Sequence, residues 1–169
     1  MKISWVLIGA LCLLQFTADA QKLPSKQEKY KFLRWYLSGK NLKQLSDTTV
    51  PFSIGSLKMK EIDEILSTRF KISKADLKYF NRQIISIDTP SKLDTSVLKE
   101  FDWKLAENVK ASKSYISMPI FSKNRQIAFI VWGNYCGITC GEESVDVYIK
   151  SKRGSWKKSK IIAFPFIMF

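Results

Sequence analysis

Histidine is absent from all 169 residues. That absence removes Ser-His-Asp and Cys-His catalysis, histidine-ligated zinc and imidazole proton shuttling together. Acids are scarce too, 15 against 28 Lys and Arg, and cysteine occurs three times. There is no internal repeat and no low-complexity tract. The longest apolar run, Ile3 to Phe16, is 14 residues, short of the roughly 20 that a membrane-spanning helix needs. An enzyme made from what remains would rely on Lys, Tyr, Asp or Glu. No spacing in the chain gathers those types into a catalytic or metal-binding constellation.

What is present begins with an export signal. Lys2 is a minimal positive n-region, Ile3 to Phe16 an apolar h-region, and Ala18-Asp19-Ala20 a c-region with small side chains where a signal peptidase requires them. Cleavage is expected after Ala20, so residues 1–20 are a signal peptide and the mature chain is periplasmic or secreted. Lipid attachment at Cys12 would need a small residue before it, and Leu11 stands there. Cys12 is therefore one more apolar residue of the leader.

Removing 20 of 169 residues leaves 149, a length suited to one domain, residues 21–169. A hydrophobic content of 46% and an aromatic content of 13% are those of a folded chain. The formal net charge is +13, and Lys2 and Asp19 cancel within the leader, so the mature chain keeps the whole excess. Such a charge favours anionic surroundings, phospholipid headgroups, lipopolysaccharide, acidic glycan or nucleic acid, and does not by itself choose among them; an anionic envelope surface, lipid headgroup or acidic glycan, is the partner expected, and nucleic acid is not. No cofactor and no metal is expected.

Helical signals come first. Ser25 and Glu28 have the spacing of a capping box, and Tyr30, Leu33, Tyr36 and Leu37 follow at helical intervals, with Phe32 and Trp35 broadening the apolar face. The expected helix covers 26–38, ends at Gly39 and packs on a sheet. Residues 40–56 read as loop. A second helix is expected from Lys58 to Ser67, and a third after Ser73-Lys74-Ala75-Asp76, with Leu77, Phe80 and Ile84 as its buried stripe. Residues 93–108 have mixed periodicity and read as partly helical, with Asp102 beside Trp103 a possible buried acid.

Strands follow from Ser114. Tyr115–Phe121, Gln126–Asn134, Ser144–Lys150 and Ser155–Ile162 are separated by turn-forming stretches. Pro119 lacks a ladder donor, so the first strand belongs at an edge. The second is apolar on both faces and belongs in the centre. The third reads as one-sided, with Val145, Val147 and Ile149 inward and Asp146, Tyr148 and Lys150 outward. The fold expected is α+β, N-terminal helices packed on a C-terminal four-stranded antiparallel β-meander. The apolar end, Ile161 to Phe169, reads as a last strand or tucked tail interrupted by Pro165, or alternatively as a docking segment.

Cys136 and Cys140 lie in Tyr135-Cys136-Gly137-Ile138-Thr139-Cys140-Gly141, between two antiparallel strands of a chain bound for an oxidising compartment. A structural disulfide is expected. It closes a five-residue loop, and its contribution is about 2 kcal/mol on chain-entropy grounds. Redox chemistry is the alternative, but it is associated with C-x-x-C at a helix start rather than C-x-x-x-C in a hairpin. Glu142, Glu143 and Asp146 just beyond could offer oxygens to calcium, without the spacing of a calcium loop.

Ser73-x-x-Asp76, Met118-Pro119-Ile120-Phe121-Ser122-Lys123, Ala128-Phe129-Ile130-Val131, the double Cys-Gly hairpin and Trp156-Lys157 together resemble a group of small exported proteins common in Bacteroidetes. The resemblance spans roughly residues 73–158, and its specific part is Y-C-G-x-x-C-G. In that group the second Cys-Gly runs into further glycines, whereas Glu142-Glu143-Ser144 follows here. The group has no established activity. The resemblance therefore implies export, an α+β fold and a hairpin disulfide, and assigns no catalytic residue.

The densest basic stretch is the last hairpin, where Lys150, Lys152, Arg153, Lys157, Lys158 and Lys160 surround Trp156. It is a candidate polyanion-binding site, in which the indole would rest on a sugar or lipid headgroup. The competing reading turns Trp156 inward as core and leaves the cations to solvate the edge. The function expected is non-enzymatic binding or scaffolding. The rival is an exported hydrolase or transferase using carboxylate or Lys chemistry in a closed cleft.

Overall fold

The computed structural model describes residues 22–40, 44–52, 59–70, 72–98, 104–106, 114–137 and 140–166. The expected leader at 1–20 lies outside the described residues, as do Asp102 and Trp103. Among the described residues no helix is long and apolar enough to cross a membrane.

Helix α1, Lys26–Ser38, begins on the capping box read from sequence. The Ser25 hydroxyl accepts from the Glu28 amide at 3.2 Å, and the Ser25 amide donates to the Glu28 carboxylate at 2.8 Å. These bonds satisfy two amides that the first turn would otherwise leave without partners. The helix buries Tyr30, Phe32, Leu33, Tyr36 and Leu37. Its last turn closes through Gly39 and Lys40 amides donating to Tyr36 and Leu37 carbonyls, which carries Lys40 back toward the sheet.

The sheet is antiparallel and contains β3 (Ser114–Ile116), β4 (Ile120–Phe121), β5 (Ile127–Gly137), β6 (Cys140–Lys150) and β7 (Trp156–Phe166). β5, β6 and β7 form the meander, while β3 and β4 both pair with the free side of β5. The expected first strand is thus split around Pro119. At the break Ser117 leaves the regular ladder, and its hydroxyl accepts the Val131 amide at 3.0 Å. The tail is also a strand. β7 pairs with β6 as far as Phe166, and Pro165 is accommodated because β7 is the outer strand.

Helices cover both faces of this sheet, as the two-sided apolar pattern of β5 requires. On one face α1 packs over Ala128, Ile130, Phe121 and Tyr148. On the other, α2 (Met59–Phe70) and α3 (Lys74–Ser86) bring Leu66, Phe80 and Ile84 onto Phe129, Val131, Val145 and Val147. Phe129 meets both Phe70 and Phe80 edge-on, at 5.7 and 5.1 Å between centroids. The architecture is α+β, helices leading and an antiparallel sheet following.

Three expectations need correction. Residues 104–106 are not helical: Lys104–Ala106 forms β2, paired in parallel with β1, Gln44–Ser46, inside the stretch read as loop. Strands of three residues are too short to show a period, and their partner lies about sixty residues away in sequence. Asp146 and Tyr148, read as outward, are buried, because α1 lands on that face of β6. Ile149, read as inward, is 47% exposed beyond the reach of α2 and α3.

One side chain of α3 finishes the edge of the sheet. Gln83 is wholly buried; its amide nitrogen donates to the Phe121 carbonyl at 2.7 Å, and its amide oxygen accepts from the Phe121 N–H at 3.0 Å. It replaces the neighbouring strand that β4 lacks, covering an exposed ladder edge. Replacing Gln83 by Leu keeps the volume but leaves both Phe121 groups buried and unpaired. We expect a loss of about 2–3 kcal/mol in urea unfolding. A loss below about 0.5 kcal/mol, the range of ordinary surface changes, would contradict this role.

Candidate functional site

The last hairpin divides its cations among different tasks. β6 and β7 pair in order from Lys150 with Trp156 through Tyr148 with Lys158, then jump to Val147 with Lys160. Ser159 is the extra residue of this bulge. Without it, Ser159 rather than Lys158 would stand opposite Tyr148. The bulge therefore turns Lys158 to the α1 face, where its ammonium pairs with Asp146 at 2.9 Å. Lys150 lies 5.6 Å from the centroid of Trp156. Lys152, Arg153 and Lys157 are exposed and carry no ion pair among the described residues. The side chain of Lys160 lies outside the described residues.

Trp156 turns toward the core, as the competing reading of the hairpin had it. It meets Phe32 of α1 edge-on at 5.1 Å and Phe121 at 6.0 Å. One side of the indole still lines a groove.

Asp146, 1% exposed, is the feature that strand alternation missed. One oxygen accepts from the Tyr36 hydroxyl at 3.2 Å, the Tyr148 hydroxyl at 3.2 Å and the Lys40 ammonium at 3.3 Å. The other faces Lys158. Lys40 also lies over the rings of Tyr36 and Trp132, at 4.9 and 4.7 Å. Burial raises both phenols well above their ordinary range, with the Asp146 charge adding to the effect, so each hydroxyl keeps its proton and acts as a donor. A carboxylate and two amines meet here, the types that the enzymatic reading requires. The carboxylate is nevertheless closed over by four donors, which leaves no open position for a substrate. A signal for it existed in the sequence: β5 is apolar on the face that carries Ile130, so the residue opposite in β6 had to be covered as well.

On the opposite face, Tyr115, Gly133 and Glu143 form one row across β3, β5 and β6. The Tyr115 ring lies over Gly133 so closely that an added Cβ would sit 2.1 Å from a ring carbon. Its hydroxyl donates to Glu143 at 3.2 Å, and burial, then the nearby carboxylate, raises its pKa. Glu143 and Asp146 thus point to opposite faces. The calcium reading of Glu142, Glu143 and Asp146 lacks convergent oxygens, and no group of three His, Cys, Asp or Glu converges among the described residues.

The cysteines sit at the far end of the β5–β6 hairpin. Tyr135 pairs with Gly141 and Gly137 with Cys140, so Cys136 and Gly137 together oppose Cys140 across a bulge. Gly137 is the register partner of Cys140, and Cys136 is the extra residue of the bulge.

The groove beside Trp156 has a volume of about 580 Å³ and runs between α1 and the β6–β7 turn. Phe32 and Phe121 form its floor, Trp35 and Trp156 flank it, and Lys31 and Lys150 stand among its lining residues. Trp35 is 37% exposed, an unusual position for an indole at the surface. Its lining also includes Arg125, whose guanidinium is held by Tyr79, the Lys22 carbonyl and Glu28. Glu28, the acid in the lining, accepts from the Ser25 amide and lies beside Arg125, and both lower its pKa. The sequence puts Trp156 and Lys150 in a candidate site, but Trp35 only on the apolar face of α1 and Lys31 in no site, because the two pairs meet only when α1 lies against the hairpin.

Comparison with protein families, with curated proteins and with solved structures returns no match to this chain.

Proposed function

We propose that the chain is an exported, non-enzymatic binding protein whose β6–β7 edge engages an anionic envelope surface, lipid headgroup or acidic glycan. One observation carries this reading: Lys152, Arg153 and Lys157 cluster at the turn and outer strand without ion-pair partners among the described residues. Among the described acids, Asp94 is engaged by Lys26, Glu28 by Arg125 and Asp146 by two lysines. A net charge of +13 supplies long-range attraction, and the unpaired turn supplies a place of contact. Residues 1–20 serve as the removed leader, and a Cys136–Cys140 disulfide ties the opposite end of the sheet. The intact mass of the exported chain tests both at once. It should begin at Gln21 and be two hydrogens lighter than its reduced form; a retained leader or two free thiols would overturn the corresponding part.

The binding reading is tested by replacing Lys152, Arg153 and Lys157 with Gln. Lys158 is left in place because it neutralises Asp146. At about 1 kcal/mol per cation near an anionic surface, the triple variant should bind phosphatidylglycerol vesicles on the order of a hundredfold more weakly at low salt. It should also leave heparin at lower salt. Moderate salt should shrink the difference on both supports. Unchanged retention on vesicles and on heparin would overturn the proposal.

A further inference from the structure

We infer that the groove between α1 and the β6–β7 turn is a binding site for one or two residues of an acidic sugar, resting on the reading of the chain as an anion-binding protein. Its aromatic walls are held before any ligand arrives. Phe32 contacts Trp35 at 5.6 Å and Trp156 at 5.1 Å, so one buried ring fixes two indoles on either side of it. Trp35 is braced a second time by Tyr148, edge-on at 5.1 Å. Flat, rigid indole surfaces suit the C–H face of a pyranose and lose little freedom on binding.

The charge around those walls selects an acid. Among the described residues neither Lys31 nor Lys150 carries an ion pair, and the Lys150 ammonium lies over the Trp156 ring. Glu28, the carboxylate in the lining, is occupied by the Ser25 amide and Arg125. Two ammonium groups are therefore free to meet a carboxylate or sulfate, with charge-assisted hydrogen bonds stronger than neutral ones. A volume of about 580 Å³ lies within the range of small-ligand sites. The floor speaks against a lipid: Phe32 and Phe121 are 2% and 3% exposed, so no opening continues beneath them for an acyl chain.

The test titrates the full exported chain with trigalacturonate and with neutral maltotriose, following tryptophan fluorescence and heat of binding. Trigalacturonate should bind and maltotriose should bind at least about tenfold more weakly. Trp35→Ala and Lys31→Gln should each lower the trigalacturonate affinity about tenfold; Lys31→Gln alters an exposed position and should leave the unfolding temperature unchanged, whereas Trp35→Ala should lower it through the packing lost on Phe32 and Tyr148. Absence of trigalacturonate binding, equal binding of both sugars, or full affinity in both variants would overturn the inference. The two proposals fail separately. Loss of heparin retention in the Lys152, Arg153 and Lys157 variant, together with unaltered sugar affinity in the groove variants, would remove the groove and leave the anionic edge.

Discussion

A buried carboxylate organises this structure. Asp146 is almost wholly withdrawn from water, and an ion so placed loses several kcal/mol of hydration. It is tolerated because donors converge on it from three elements: Tyr36 and Lys40 from the end of α1, Tyr148 from its own strand, and Lys158 from β7. Each donor constrains its element. Lys40 reaches the site because the helix ends at Gly39, and Lys158 because Ser159 bulges. The carboxylate thereby fixes where α1 lies on the sheet.

Further consequences follow from that position. With α1 in place, Phe32 presses between Trp35 and Trp156, and a groove forms where two separate segments would otherwise present unrelated aromatic rings. Charge is distributed around the same axis. Among the described acids, Glu28 caps α1, Asp94 neutralises Lys26 and Asp146 lies in the core, while the turn at 151–155 and the start of β7 display Lys152, Arg153 and Lys157 without ion-pair partners among the described residues. Exposed pairs such as Lys26 with Asp94 contribute little to stability individually.

The parts legible in the sequence were local. Ser25 and Glu28 announce α1 because a capping box is a matter of three residues' spacing. Ile127 to Trp132 announce a central strand because apolar residues on both faces need two covers. What escaped was decided by which element covers which face. Asp146 and Tyr148 alternate with valines and look outward until α1 covers them. Lys158 sits with Lys157 in sequence, and a one-residue bulge that only the ladder reveals sends it inward. β1 and β2 are too short to leave a pattern, and Gln83 resembles any polar residue of a helix until β4 is found to lack a neighbour. The groove combines these non-local outcomes, which is why the sequence shows Trp35 on a helix face and Trp156 in a hairpin but not their meeting.

The central claim is that Asp146 holds α1 to the sheet, and hydrogen exchange on the Asp146→Asn variant tests it most directly. The substitution keeps the shape and removes the charge, leaving Lys40 and Lys158 without a counter-ion. Amides of α1, residues 26–38, should lose protection equivalent to about 3 kcal/mol, while amides of α3, residues 74–86, on the opposite face change far less. Equal loss in both helices, or full protection retained in α1, would contradict the account.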